Sequence, residues 1–287
     1  MAVLLLSLAS AFFVGLNNVL LRKSLDYTGK RQAIVLSLFI SASILWVAVG
    51  FFENFQLLLV PASALFVLAG LLGPGIGRTL NITSIDRIGV SRSIPIVGTA
   101  PFFATLFAVV LLGEKYSLPI FIGTVLIVFG VYVVSRKQNG NGKVFDKKDL
   151  LIPLAAAVFG GASIAITKQG LLALPSPLLG VAISLTSALI VTSLSLASAK
   201  RLPSFHFTKV EMVFPVLVGI SMACAFFLNF RALQEGSVAV VASVFSTFPL
   251  FGVFLSHFLL KEQITSRTWL GAAIIGVGII VIQLFCR

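Results

Sequence analysis

Charge is what this sequence has least of. Asp, Glu, Lys and Arg make up 10% of its 287 residues against 58% hydrophobic ones, where a soluble domain carries about 25% charged residues. A water-soluble fold could not hide that much apolar surface, so an integral membrane protein is expected. Acidic residues are the scarcer sign. All nine carboxylates (Asp26, Glu53, Asp86, Glu114, Asp146, Asp149, Glu211, Glu235 and Glu262) fall in predicted loops or at predicted helix ends. None is left at mid-membrane, where a proton antiporter usually keeps a titratable group. His257 is the nearest alternative, about one turn from a predicted helix end, and is expected at the interface. Cys224 and Cys286 lie in apolar segments without metal-ligand spacing. There is no HExxH, P-loop or GxSxG. Enzymatic chemistry and ATP drive therefore have no support, and neither a cofactor nor a metal is expected.

What is abundant is the long apolar run. Such runs fall near 2–21, 32–51, 62–82, 88–112, 118–135, 150–170, 176–198, 210–231, 236–260 and 267–285. A bilayer crossing needs roughly 20 apolar residues. The runs are continuous rather than alternating, which argues against barrel strands. The first lacks a basic start and a cleavage signal, so it is expected to be a helix and not a removed leader. The predicted fold class is an all-α polytopic membrane protein of ten transmembrane helices.

The chain also repeats itself. Adding 148 maps Pro101 onto Pro249, Glu114 onto Glu262, Gly123 onto Gly271, Gly130 onto Gly278 and Asn81 onto Asn229. The predicted domains are a first five-helix repeat at 1–135, a basic linker at 136–149 and a second five-helix repeat at 150–287. An odd number of helices per repeat makes the two enter the membrane in opposite senses, so the repeats are inverted. Internal duplication in a hydrophobic chain marks a secondary transporter with its substrate site between repeats.

The net charge of +12 could suggest nucleic acid, but its positions argue against that partner. Arg136, Lys137, Lys143, Lys147 and Lys148 crowd the polar stretch 135–149, as expected of a topology signal and a lipid contact. Let side A be the side reached after the first helix. Seventeen of the 21 Lys and Arg lie at or near it; Lys115, Lys168, Arg231 and Arg287 lie toward side B. By charge, side A is cytoplasmic and both termini are outside.

Polar residues inside the runs are the candidate substrate-binding set: Asn17, Asn18, Arg78, Asn81, Arg92, Ser163, Asn229 and Arg231. Arg78 and Asn81, three residues apart, share a helical face. The shift places Phe226 opposite Arg78 and Val240 opposite Arg92, so the arginine pair belongs to the first half alone. Two guanidiniums suit an anionic group, though both could instead snorkel to a headgroup. Pro101 and Pro249 each delete a helical hydrogen bond near a helix centre and are the candidate cavity-shaping residues. Glu114 and Glu262 are expected to cap the start of the following helix rather than bind an ion. Isolated Ser and Thr are expected to bond their own helix backbone.

The Gly-Glu at 113–114 followed by LPIFIGTVLIVFGVYVV, and the Lys-Glu at 261–262 followed by WLGAAIIGVGIIVI, resemble the repeat ends of the EamA family of the drug/metabolite transporter superfamily. The resemblance covers nearly the whole chain. It implies a ten-helix basket around a central cavity, a small-molecule substrate such as an amino acid or other organic solute, and cytoplasmic termini, opposite to the charge count. The function expected is alternating-access export or facilitated movement of a small metabolite across the cell membrane. A proton-coupled antiporter is the runner-up, and a membrane enzyme or receptor for lipid-like ligands stands behind it.

Overall fold

A computed structural model describes residues 1–24, 30–88, 93, 96–115, 117–135, 146–198, 209–260 and 266–285. Among the described residues there are helices and no strands. The chain runs through α1 (Ala2–Ser24) and α2 (Lys30–Phe52). It continues through α3 (Ser63–Gly70), a π-helical stretch Leu71–Gly77 and α4 (Arg78–Ile88), and then α5 (Ala100–Leu112) and α6 (Leu118–Ser135). The second half contains α7 (Leu151–Ala173), α8 (Pro177–Ser198), α9 (Lys209–Glu235), α10 (Val238–Phe245), α11 (Phe248–Leu260) and α12 (Ser266–Phe285). Seven stretches are long and apolar enough to cross a membrane, three of them built from consecutive segments, Ser63–Ile85, Lys148–Ala173 and Val238–Leu259; three shorter apolar helices lie at Ala100–Leu112, Leu118–Val133 and Trp269–Ile282. The outer surface is apolar, with Phe39, Val47, Val110, Phe129, Leu194 and Ile280 all exposed. Only hydrocarbon tolerates such a surface, and in hydrocarbon the helix satisfies its own backbone.

Three runs expected to be continuous helices are interrupted. Pro74 lies inside the π-helical stretch LLGPGIG; proline cannot donate to the carbonyl four residues back, and the ladder widens around it. The run 236–260 breaks at Ser246 and Thr247, and 88–112 breaks at Gly98 and Thr99. The prolines expected to kink helix centres instead stand in the first turn of a restarted helix, Pro101 in α5 and Pro249 in α11. There the missing N–H costs nothing.

Interhelical packing is close where side chains are small. α6 lies along α12. A Cβ placed on Gly123 would stand 2.9 Å from the Gly278 carbonyl oxygen, and one on Gly130 would stand 2.9 Å from that of Gly271. Gly123 meets Gly278 while Gly130 meets Gly271, so the two helices run antiparallel. α1 packs on α9, α10 and α11; α7 packs on α3, the π-helical stretch, α4 and α5; α2 packs on α8 and α9. Two contacts match across the halves. A Cβ on Gly161 of α7 would meet the Ala104 nitrogen at 2.6 Å, and one on Gly15 of α1 would meet the Gly252 nitrogen at 2.7 Å. Ala104 and Gly252 are themselves 148 apart.

Hydroxyls sort into two kinds. Ser7, Thr105, Thr124 and Ser243 donate to carbonyls four residues back on their own helices, as expected. Ser10, Ser41, Ser163 and Ser184 also donate across helices, to the carbonyls of Ala225, Gly219, Ala69 and Phe66 at 2.7–2.9 Å. These ties serve in place of a hydrophobic driving force, which lipid does not supply between helices.

The glycine seam gives a controlled test. Gly278→Leu drives a side chain into the α6 backbone and is expected to cost about 1–3 kcal/mol by overpacking. Gly276, on the same helix, has open space around its Cβ position. Gly276→Ala is therefore expected to leave the thermal midpoint of the purified protein in detergent unchanged or higher, and Gly278→Leu to lower it.

Candidate functional site

The predicted residues converge on the middle of α9. Asn17 of α1 donates its Nδ2 to the Val218 carbonyl at 2.8 Å and to Ser221 Oγ at 3.2 Å. Arg78 opens α4, and its Nη1 donates to Met222 Sδ at 3.7 Å. Two predicted residues, both from the first half, thus meet one turn of α9.

Met222 lies ten residues from Met212 and thirteen from Glu235 in the span Met212–Glu235. At 1.5 Å per residue that is about 15 and 20 Å from either end. The guanidinium beside Met222 therefore meets α9 away from both of its ends. A thioether is a weak acceptor with no charge. It is the only partner Arg78 has among the described residues. Arginine at a helix centre costs about 2.5–3.5 kcal/mol on insertion scales, and nothing on α9 offsets that cost.

Asn81 stands one turn beyond Arg78. Its Oδ1 is buried without a hydrogen-bond partner, and so is Nδ2 of Asn229. These two residues are equivalent under the 148 shift. Native proteins leave few buried polar atoms unpaired, and each calls for an explanation. Asn229 lies seven residues past Met222 on the same face of α9, toward side B; Asn81 lies toward side A.

The matched breaks are built alike. Thr99 Oγ1 donates to the Ile96 carbonyl at 2.7 Å, and Thr247 Oγ1 to that of Val244 at 2.7 Å. Both backbone amides bond the same carbonyls at 3.1 Å. Pro101 and Pro249 follow two residues later and have no N–H for the carbonyls of Val97 and Phe245.

The remaining predicted residues are placed elsewhere. Ser163 is engaged with the Ala69 carbonyl and closely packed on Gly73. Asn18 is on an exposed face of α1. Arg231 sits near the end of α9, paired with Glu235 at 3.2 Å and hydrogen-bonded to Gln234. Arg92 and Glu262 lie outside the described residues. His257 is in the last turn of α11, edge-on to Phe258. No group of three potential metal ligands occurs among the described residues.

A second polar cluster, where α9 turns into α10, has a partner choice that the sequence concealed. Gly113, at φ 66°, ends α5 in the left-handed conformation that glycine adopts without strain. The next residue, Glu114, accepts the Val238 amide on both carboxylate oxygens at 3.1 Å. It therefore caps α10, which corrects the expectation that it caps the start of the helix that follows it, α6. Lys168 of α7 donates Nζ to the carbonyls of Leu233, Gln234 and Gly236 at 2.7, 3.4 and 3.0 Å. Anion on an N-terminus and cation on a C-terminus both complement the helix dipoles. Position 20, equivalent to Lys168, is leucine, so the lysine half of this clamp is unique to the second half.

Comparison with known proteins agrees with this architecture. A sequence profile described as the EamA-like transporter family matches residues 1–136 and 147–284. An uncharacterized transporter of Archaeoglobus fulgidus is 28% identical over 282 residues, covering 98% of either chain. A protein of known crystal structure superposes with a TM-score of 0.81 at 16% identity, over 98% of this chain and 96% of that one; at that identity the likeness concerns the fold alone.

The clamp predicts a stability effect separable from ligand binding. Glu114→Gln and Lys168→Met are each expected to lower the thermal midpoint by the equivalent of about 0.5–2 kcal/mol, as lost caps do. Lys115→Met, on the exposed neighbour of Glu114, is expected to stay within about 0.5 kcal/mol of wild type.

Proposed function

The chain belongs to the EamA-like transporter family and is a multi-pass integral membrane protein; from this premise we propose that it moves a small metabolite across the cell membrane by alternating access, as an exporter or facilitator. On this reading the three shorter apolar helices complete ten crossings. Residues 1–135 and 150–287 form two inverted five-helix repeats joined by the 136–149 linker. The substrate lies between α1, α4, α5 and their counterparts α7, α9, α11. Its partners are that solute and the surrounding lipid, without nucleic acid, cofactor or covalent chemistry.

The observation that carries the reading is the exchange of neighbours between halves. α1 packs on α9 and α11, and α7 on α4 and α5; those partners correspond under the 148 shift. The antiparallel glycine seam, with Gly123 on Gly278 and Gly130 on Gly271, supports a two-fold axis in the membrane plane. Such an axis lets each half take the other's conformation, which is what alternating access requires. The matched breaks before Pro101 and Pro249 supply a place in each half for a helix to bend.

Purified protein in proteoliposomes loaded with amino acids, organic acids or nucleosides is expected to exchange labelled solute of one class by counterflow. No carboxylate interrupts the spans at their centres, so exchange is expected to proceed without a pH gradient. Accumulation against the solute's own gradient, driven only by an imposed pH difference, would support the proton-coupled alternative instead. Loss of that accumulation in His257→Gln would identify the coupling group.

The Lys and Arg distribution supports termini outside the cytoplasm. A C-terminal reporter that fluoresces only in the cytoplasm is expected to stay dark. A bright reporter would reverse the orientation without touching the fold.

A further inference from the structure

We infer that the transported solute carries an oxyanion, a carboxylate or a phosphate, that binds Arg78 at the centre of the membrane, and that a hydroxyl or amine on the same solute donates a hydrogen bond to Asn81 Oδ1. This deepens the transport reading above and rests on it.

The first ground is depth. The guanidinium reaches Met222, near the middle of the span Met212–Glu235, away from both ends of that helix. The second is partnership. Among the described residues the guanidinium has no carboxylate and no carbonyl, only a thioether. By contrast Asn17 is engaged by Val218 and Ser221, and Ser163 by Ala69. The third is the asparagine. One turn from Arg78, the Asn81 amide also holds a buried atom with no partner. Two neighbouring groups on one helical face, both lacking their natural counterparts, are explained together by one ligand.

The fourth ground is local construction. Arg78 follows directly on LLGPGIG, where Pro74 opens the helix into a π-helical stretch. Such stretches re-aim the residues that follow and are common at functional sites. The second half has Met222 where the first has Pro74, and Phe226 where the first has Arg78. One half thus offers a cation and the other a soft apolar wall facing it. The guanidinium fork fits two oxygens of a planar carboxylate or of a phosphate. A neutral or cationic solute would leave the charge as unpaired as it stands now.

The test is ligand-induced thermal stabilisation of the full-length purified protein, with succinate, lactate and glycerol phosphate as anionic probes. Succinamide, lactamide and glycerol are their neutral counterparts. At least one anion is expected to raise the wild-type midpoint while its neutral counterpart does not; which anion does so separates carboxylate from phosphate. Arg78→Met is expected to abolish the shift. Arg78→Lys, which keeps the charge and loses the fork, is expected to weaken apparent affinity about tenfold. Asn81→Asp, placing a like charge beside the site, is expected to weaken it by at least as much. No stabilisation by any of the three anions, or equal shifts in wild type and all three variants, overturns the inference. Counterflow of the same compounds is measured in parallel. Exchange of neutral solutes alone overturns the oxyanion and leaves transport standing; Arg78-dependent binding without exchange of the bound anion does the reverse.

Discussion

In a bilayer every backbone amide and carbonyl must find its partner within the protein, because hydrocarbon offers none. This single constraint decides where the chain is regular and where it is not. Long stretches such as α1 and α7 are unbroken because an interruption facing lipid would leave bare carbonyls. The interruptions that do occur are managed. Thr99 and Thr247 tie down the carbonyls just before the breaks with hydroxyl and amide together. Prolines then start the next helices, where no donor is needed. At Pro74 the strain is taken up by a π-helical stretch. The end of α9 and the start of α10, exposed in principle to the same penalty, are closed by Lys168 and by Glu114.

The same constraint explains the division of labour among polar side chains. Most serines and threonines serve the backbone, on their own helix or on a neighbour. Ser10, Ser41, Ser163 and Ser184 are structural in this sense, and so is Asn17. Once these are set aside, few polar groups remain without a duty. Among the described residues, Asn81 and Asn229 keep a buried polar atom without a partner, and Arg78 has only Met222.

Much of this was legible in the sequence, for a physical reason: run length, proline and the 148-residue register are local or additive properties. The runs marked the helices, and the register placed Gly123 with Gly271 and Pro101 with Pro249. What the sequence left hidden depends on tertiary neighbours. Nothing local shows that Glu114 caps α10 instead of the helix that follows it, or that Asn17 and Ser163 spend their hydrogen bonds on Val218 and Ala69. The prolines marked breaks correctly but not their form, since whether a helix kinks or restarts depends on what packs around it. Arg78 was conspicuous by type. Only the contact with Met222 shows where along α9 its guanidinium lies. Arg92 and Glu262 lie outside the described residues.

The glycine seam between α6 and α12 has the arrangement of an isologous interface. Gly123 meets the equivalent of Gly130, and Gly130 meets the equivalent of Gly123. Two separate copies of one repeat could associate through such a seam, but every substitution in a homodimer appears twice. An arginine at position 78 would then bring a second arginine into the place of Phe226, and two guanidiniums would share one low-dielectric interior. Joining both copies in a single chain removes that obligation. The seam keeps its self-complementary glycines, which both halves need, while the interior is free to diverge, with arginine on one side and phenylalanine on the other. On the two-repeat reading proposed above, covalent fusion permits a chemically polarised interior beside a self-complementary seam, something a symmetric dimer of this repeat could not encode.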